Sequence, residues 1–284
     1  MGTRIWRVEG DRAEPRDDHL ATEEPLEIRL RWGRHEDTRR TVAVTMRTPG
    51  ADPELAAGFL FAEGVIAGPE RIRGTAFIDT NILEVELAEG PEPVLLSLDR
   101  HFFATSACGV CGKAGLETLR LRVPAPLPPG PVVAPDVIRA LPDRLRQAQG
   151  LFDATGGLHA AALFDTAGTL LAVREDVGRH NALDKLLGWA FASGRMPLHD
   201  HLVMVSGRSS YEILQKCLVA GVPLVCAVSA PSSLAVELAE RFGLTLIGFL
   251  RGDRFNIYSG PERVAGVAPA ARRPRRERLF PTVP

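Results

Sequence analysis

The chain has 284 residues, 45% hydrophobic and 24% charged, a balance that excludes a fibrous, disordered or membrane-embedded composition. With 34 Lys and Arg against 35 Asp and Glu the formal net charge is -1, so no global field draws nucleic acid or anionic lipid, and any bound anion must be met by local charge. At about 150 residues per domain, this length predicts one large or two modest domains.

Met1-Gly2-Thr3-Arg4-Ile5-Trp6 soon gives way to the acidic residues Glu9 and Asp11 and lacks the apolar stretch of a signal peptide. Residues 26 to 32 alternate strictly, so Leu26, Ile28, Leu30 and Trp32 share one face of a strand; Val42, Val44 and Met46 repeat the pattern and predict a hairpin. Asp52-Pro53 offers an N-cap and a first-turn proline for a helix through Leu55, Phe59 and Leu60, ending at Gly64. Short strands are expected at 75 to 79, 82 to 87 and 94 to 98, which makes residues 1 to 122 a small α+β domain. Residues 123 to 135 contain six prolines and read as a stiff, extended connector.

Beyond it, strands at 201 to 205, 223 to 228 and 245 to 250 alternate with helices at 209 to 220 and 231 to 242, the second opened by Pro231. A further helix is expected at 181 to 192. Two successive βαβ units imply right-handed crossovers and three parallel strands, so residues 136 to 268 form an α/β domain. The longest apolar run, 218 to 230, is broken by Gly221, Pro223 and Ser229 and cannot match the roughly 18 residues of a membrane helix. We therefore expect a cytoplasmic protein. The tail, 269 to 284, carries Arg272, Arg273, Arg275, Arg276 and Arg278 but no interleaved aromatics, and reads as a solvated terminus and not a nucleic-acid arm.

Four cysteines are too few for a disulfide scaffold. Cys217 and Cys226 fall in a predicted helix interior and core strand, where they act as small hydrophobes. Cys108-Gly109-Val110-Cys111 is different: thiols at this spacing can share a metal, form a reversible disulfide, or pair a reactive thiolate with a resolving one. Structural zinc would need two more ligands at short spacing, and none is present. Zinc deamination would need an H-x-E element before P-C-x-x-C, whereas Ala107 precedes Cys108, and His159 and His180 come later. Thioredoxin-type exchange stays open, because Lys113 and a short predicted helix at 114 to 121 would lower a thiol pKa.

Ligands of open parallel sheets bind beyond the carboxyl ends of the strands. Here those ends read Ser206-Gly207-Arg208-Ser209-Ser210, Ser229-Ala230-Pro231-Ser232-Ser233 and Arg251-Gly252-Asp253-Arg254. Helix N-termini with Arg208, Arg251 and Arg254 suit phosphate, and Asp253 suits a base or ribose donor, while serine caps alone account for any single loop. Glu175-Asp176-Val177-Gly178-Arg179-His180-Asn181 lines the same site, or is Asp176 as a cap with Arg179 as its ion-pair partner.

The runs Thr105 to Gly112, Thr155-Gly156-Gly157-Leu158-His159-Ala160-Ala161, Glu175 to Lys185, Ser206 to Glu212 and Ala227 to Pro231 together resemble the FdhD/NarQ family of formate dehydrogenase accessory sulfurtransferases. The resemblance covers residues 18 to 265. It implies a second domain like cytidine deaminases without their zinc, a homodimer, and no metal of its own. It also implies transfer of persulfide sulfur from a cysteine desulfurase to the molybdenum of the bis(molybdopterin guanine dinucleotide) cofactor destined for the catalytic subunit of formate dehydrogenase. By the family's pattern Cys108 carries the persulfide and Cys111 assists. Phe249, Leu250, Arg251, Gly252, Asp253 and Arg254 match the segment that contacts the guanine nucleotide part. No nucleic-acid or membrane partner is implied. Two other classes fit the same residues, a CxxC thiol-disulfide oxidoreductase and a non-catalytic cofactor chaperone.

Overall fold

The computed structural model describes residues 1 to 33, 38 to 95, 123 and 125 to 267. The chain opens with an antiparallel ribbon of β1 (Gly2–Glu9) and β2 (Arg12–His19), whose polar sequence lacked a strand signal. The alternating segment forms β3 (Glu24–Arg31) with Leu26, Ile28 and Leu30 buried, and it pairs antiparallel with β4 (Arg39–Arg47), as expected. The inward set on β4 differs from expectation. Ile28 faces Ala43 while Arg29 faces Thr41, so Val42 is the extra residue of a bulge. The extra residue reverses the alternation: Val42 and Ala43 are both buried, and Met46 is 48% exposed.

Next comes α1 (Asp52–Ala62), which lays Leu55, Ala56 and Leu60 against the inner faces of β3 and of β6 (Ile82–Leu87). β5 (Ile72–Asp79) completes a four-stranded sheet of order β4-β3-β6-β5. Asp52 is not the cap. Ala51 takes that position with φ 56°, and Asp52 is already helical, its carboxylate accepting from Arg47 Nε at 2.8 Å and from the Gly50 amide. Val94 and Leu95 belong to no strand, and 96 to 98 of the strand expected there lie outside the described residues.

The second sheet has six strands in the order β12-β11-β10-β9-β7-β8. Its centre is β9 (His201–Val205), β10 (Leu224–Ala227) and β11 (Thr245–Arg251), mutually parallel as the βαβ pattern requires. β7 (His159–Asp165), β8 (Leu170–Asp176) and β12 (Arg254–Ser259) flank them in antiparallel pairs. One face packs on α2 (Pro135–Gln147), through Ile138, Leu141 and Leu145 at helical spacing; α3 (Gly150–Thr155) follows α2. The other face packs on α4 (Arg179–Ala192), α5 (Tyr211–Val219) and α6 (Ser233–Phe242). Pro231 lies before α6, not inside its first turn, because the Ser232 hydroxyl caps the helix by accepting from the Ala235 amide at 3.2 Å.

Cys217 and Cys226 are fully buried, one in each core, and burial pushes the Cys217 thiol up to about 12 and that of Cys226 up as well, so both are inert hydrophobes. Part of the proline-rich stretch lies along this sheet: the Leu127 amide donates to Phe242, the Val133 amide to Arg263, and Arg263 Nη2 to the Pro128 carbonyl. The two sheets share a helical layer, because α1 packs on α4 and Phe61 stacks 4.9 Å from Phe191. Asp176 ties them further, accepting from the Thr48 amide and from Lys185 Nζ at 2.7 Å.

Candidate ligand edge of the second sheet

The three parallel strands end on one edge, and their loops are stitched together there. The Val228 amide donates to Val205, the Ser232 amide to Ser209, and the Phe249 amide to Ser229. β7 and β8 bring further groups to this edge. β7 runs antiparallel to β9, so it begins where β9 ends: the Ser206 amide donates to Ala160, and the Ala160 amide donates to Ser206 Oγ at 2.9 Å. β8 ends opposite His159, at Asp176, and α4 starts three residues later. His159, Arg179 and His180 therefore join Gly207, Arg208 and Ser210. A Cβ placed on Gly207 would lie 3.3 Å from His159 Nδ1 and 3.8 Å from Arg179 Cδ.

The local charge is the kind that the neutral overall balance required. Burial lowers the Arg179 pKa, and the adjacent Arg208 lowers it further while Glu212 opposes. Burial, then Arg179 and Arg208, hold the His159 ring below its ordinary value. Burial likewise pushes His180 down to about 4 against the pull of Glu212, with Arg179 and Lys216 helping; its Nε2 lies 3.2 Å from Ser210 Oγ. Both imidazoles are thus neutral near pH 7 and serve as hydrogen-bonding groups beside Arg179.

This gives a pH dependence with a definite sign. Above pH 6.5 His180 is neutral both folded and unfolded; as pH falls from 6.5 toward about 4 the unfolded chain binds a proton that the folded one refuses. His180 should therefore cost up to about 3 kcal/mol of stability across that window. Urea melts at pH 7 and pH 5 should show the loss in the parent and a smaller one in His180→Gln. Equal losses in both proteins would contradict it.

The segment read from sequence lies at the same edge, closing β11 onto β12. Gly252 turns with φ 54°, and Arg251 pairs with Arg254 across the hairpin. Phe249 occupies a bulge with φ 53°, a strained conformation for an aromatic residue, and is 40% exposed. Arg251 Nε lies 3.4 Å from the Val228 carbonyl. Arg251, Asp253 and Arg254 are exposed. Leu250 is different: its side chain is buried in the core against α2, leaving only its backbone for the edge. Cys108 and Cys111 lie outside the described residues, as does the helix expected at 114 to 121.

Reading the loops missed that His159 belongs with them, since only the antiparallel return of β7 brings it there; its one sequence signal was the Thr155 to Ala161 run. Asp176, proposed as a cap with Arg179 as partner, instead pairs with Lys185 and accepts from the Gly178 amide.

Fold and edge together define a two-sheet, mixed α/β protein whose parallel strands end on an arginine-bearing edge. Residues 21 to 265 match the FdhD/NarQ family, and the chain belongs to that family. It is 48% identical over 274 residues to the sulfur carrier protein FdhD of Mycobacterium tuberculosis, covering 92% of this chain and 97% of that one. The protein of the same name from Sulfurisphaera tokodaii is 44% identical over 261 residues, covering 92% and 97%. A crystal structure described as a candidate formate dehydrogenase accessory protein from Desulfotalea psychrophila superposes with a TM-score of 0.72 at 26% identity, over 93% of this chain and 98% of that one. Among the described residues no helix is long and apolar enough to cross a membrane.

Proposed function

We propose that this chain is a sulfurtransferase serving a formate dehydrogenase. It takes sulfur from a cysteine desulfurase as a persulfide on Cys108 and passes it to the molybdenum of the bis(molybdopterin guanine dinucleotide) cofactor, which is its substrate. The observation that carries this reading is the near-full-length identity to a sulfur carrier protein. The chemistry agrees with it. The Cys108 thiolate attacks the outer sulfur of the donor's persulfide, the donor S–S bond breaks, the donor cysteine leaves as thiolate, and Cys108 keeps the sulfur with no net oxidation. Cys111, three residues on, assists by stabilising or later attacking that persulfide. The guanine nucleotide part of the cofactor contacts Phe249 to Arg254, where an exposed aromatic ring and two arginines suit a base and its phosphates.

Incubation with a cysteine desulfurase and cysteine, followed by mass spectrometry, should add one sulfur to Cys108. Cys108→Ser, a far weaker nucleophile at neutral pH, should take none and should fail to activate formate dehydrogenase. A Cys108–Cys111 disulfide with no added sulfur would favour the thiol-disulfide oxidoreductase. Full activation by the Cys108→Ser protein would favour a non-catalytic chaperone.

A further inference from the structure

We infer that the β1–β2 ribbon is a self-association arm: the face that carries Trp6, Val8, Ala13 and Pro15 docks on the same face of a second copy of this chain. The contact is independent of the sulfur-transfer reading above.

The ribbon is a sheet of two strands only, and such a pair is marginally stable in water unless one of its faces is covered. Its register, from Gly2 opposite His19 to Glu9 opposite Arg12, puts Arg4, Trp6 and Val8 on one face beside Asp17, Pro15 and Ala13. All six are exposed, Trp6 at 71% and Val8 at 66%. The other face carries Thr3, Ile5, Arg7 and Glu9 opposite Asp18, Arg16, Glu14 and Arg12, so its outer charges are matched across the strands. Thr3 and Ile5 are half-buried, which makes this the face turned to the rest of the chain and leaves the apolar one outward. The Met1 nitrogen donates to the Leu20 carbonyl at 2.9 Å and the Leu20 amide donates back at 2.8 Å. Odd-numbered residues of β1 therefore sit in hydrogen-bonded pairs, and Trp6 with Pro15 is a non-hydrogen-bonded pair. Such a pair brings its Cβ atoms closest, so these two rings form the apolar centre of the face. The Pro15 nitrogen then lies on the outer edge of β2 and offers no donor there, which blunts that edge against a further strand.

The register also selects the occupant. A two-fold axis along the ribbon keeps every level and lays β1 of one copy over β2 of the other. Arg4 then meets the partner's Asp17, Asp17 meets the partner's Arg4, and Trp6 meets the partner's Pro15. An axis across the ribbon through Trp6 would instead press Arg4 onto the partner's Val8 and desolvate its charge without a counter-ion. The face is thus complementary to itself in charge and in apolar surface, as a contact between two identical patches must be. A formal net charge of -1 sets little repulsion between whole chains. Two faces of about 27 by 10 Å bury on the order of 600 Å² together, less than a standard interface, so the dimer forms reversibly and depends on concentration.

Sedimentation of the full chain over a concentration series tests this. The parent should pass from monomer to dimer as its concentration rises through the micromolar range, and Trp6→Ser/Val8→Ser should weaken the association at least about tenfold. Arg4→Asp and Asp17→Arg should each self-associate more weakly than the parent, because each sets like charges against each other across the axis. Mixed one to one they should form a heterodimer, since one chain then carries two acids at this level and the other two arginines. Fraying of the ribbon within each chain would not be mended by mixing, so the heterodimer reports the contact itself. A parent that stays monomeric, a dimer as tight in Trp6→Ser/Val8→Ser, or charge variants that pair with themselves as tightly as with each other would overturn the inference.

Discussion

Gly188→Ala should destabilise the protein by about 2 kcal/mol or more, although alanine is the better helix former by about 1 kcal/mol. Gly188 in α4 and Gly58 in α1 face each other where the two halves of the chain meet. A Cβ on Gly188 would lie 1.8 Å from the Glu54 carbonyl oxygen and 2.8 Å from the Gly58 nitrogen, and one on Gly58 would lie 1.9 Å from the Asp184 carbonyl oxygen. These are backbone atoms, so no rotamer change relieves the clash and the helices must move apart. That movement would also strain the Glu54–Arg174 ion pair and the Phe61–Phe191 contact, which cross the same boundary. Urea unfolding at constant m would measure it, with Gly150→Ala as control, since a Cβ there meets nothing within 4 Å. A Gly188→Ala protein as stable as the parent would mean that close helix approach is not what joins the halves.

Lys216→Met should cost about 3 to 5 kcal/mol near neutral pH, because it leaves the Asp184 carboxylate buried without its cation. Lys216 is 2% exposed, and its ammonium lies 2.8 and 3.0 Å from the two Asp184 oxygens, 3.9 Å from Glu212 and 5.7 Å from the centre of the Phe59 ring. Burial works to strip its proton, but Asp184, Glu212 and Glu63 outweigh burial and hold its pKa above the ordinary lysine value. Burial likewise pushes Asp184 up to about 7 even with Lys216 beside it.

Without the lysine the carboxyl should stay protonated to higher pH still. The folded protein then binds a proton that the unfolded chain has released, so its stability falls as pH rises above the unfolded value near 4. The deficit of Lys216→Met against the parent should accordingly be larger at pH 8 than at pH 6, and Asp184→Leu with Lys216→Met should recover most of it. Equal stability of the single and double variants at pH 8 would show that the pair carries no such charge cost.

Much of the fold is legible where one segment carries its own period. The alternation at 26 to 30 buries Leu26, Ile28 and Leu30, and the strand–helix sequence from 201 to 251 appears as parallel β9, β10 and β11 with α5 and α6 between them. Segments that lacked this signal were invisible for physical reasons. β7 begins His159-Ala160-Ala161-Ala162, and alanine has little strand preference; its small side chains fit where both faces of the strand are covered by helices, a condition set by distant residues. The bulge at Val42 depends on how β4 meets β3, so the period of β4 alone misassigned Met46.

The sequence by itself determined the parallel order of the three central strands, the shared edge of their loops and the inert burial of Cys217 and Cys226, because hydrophobic period, helix stops and right-handed crossover act over a few tens of residues. Only the tertiary structure decided which other groups reach that edge. His159 and Arg179 arrive by antiparallel pairing of β7 and β8, and the glycine contact between α1 and α4 joins residues 130 apart in sequence. Such pairings are chosen by fit between complementary surfaces, and neither partner carries a mark of the other in its own local sequence.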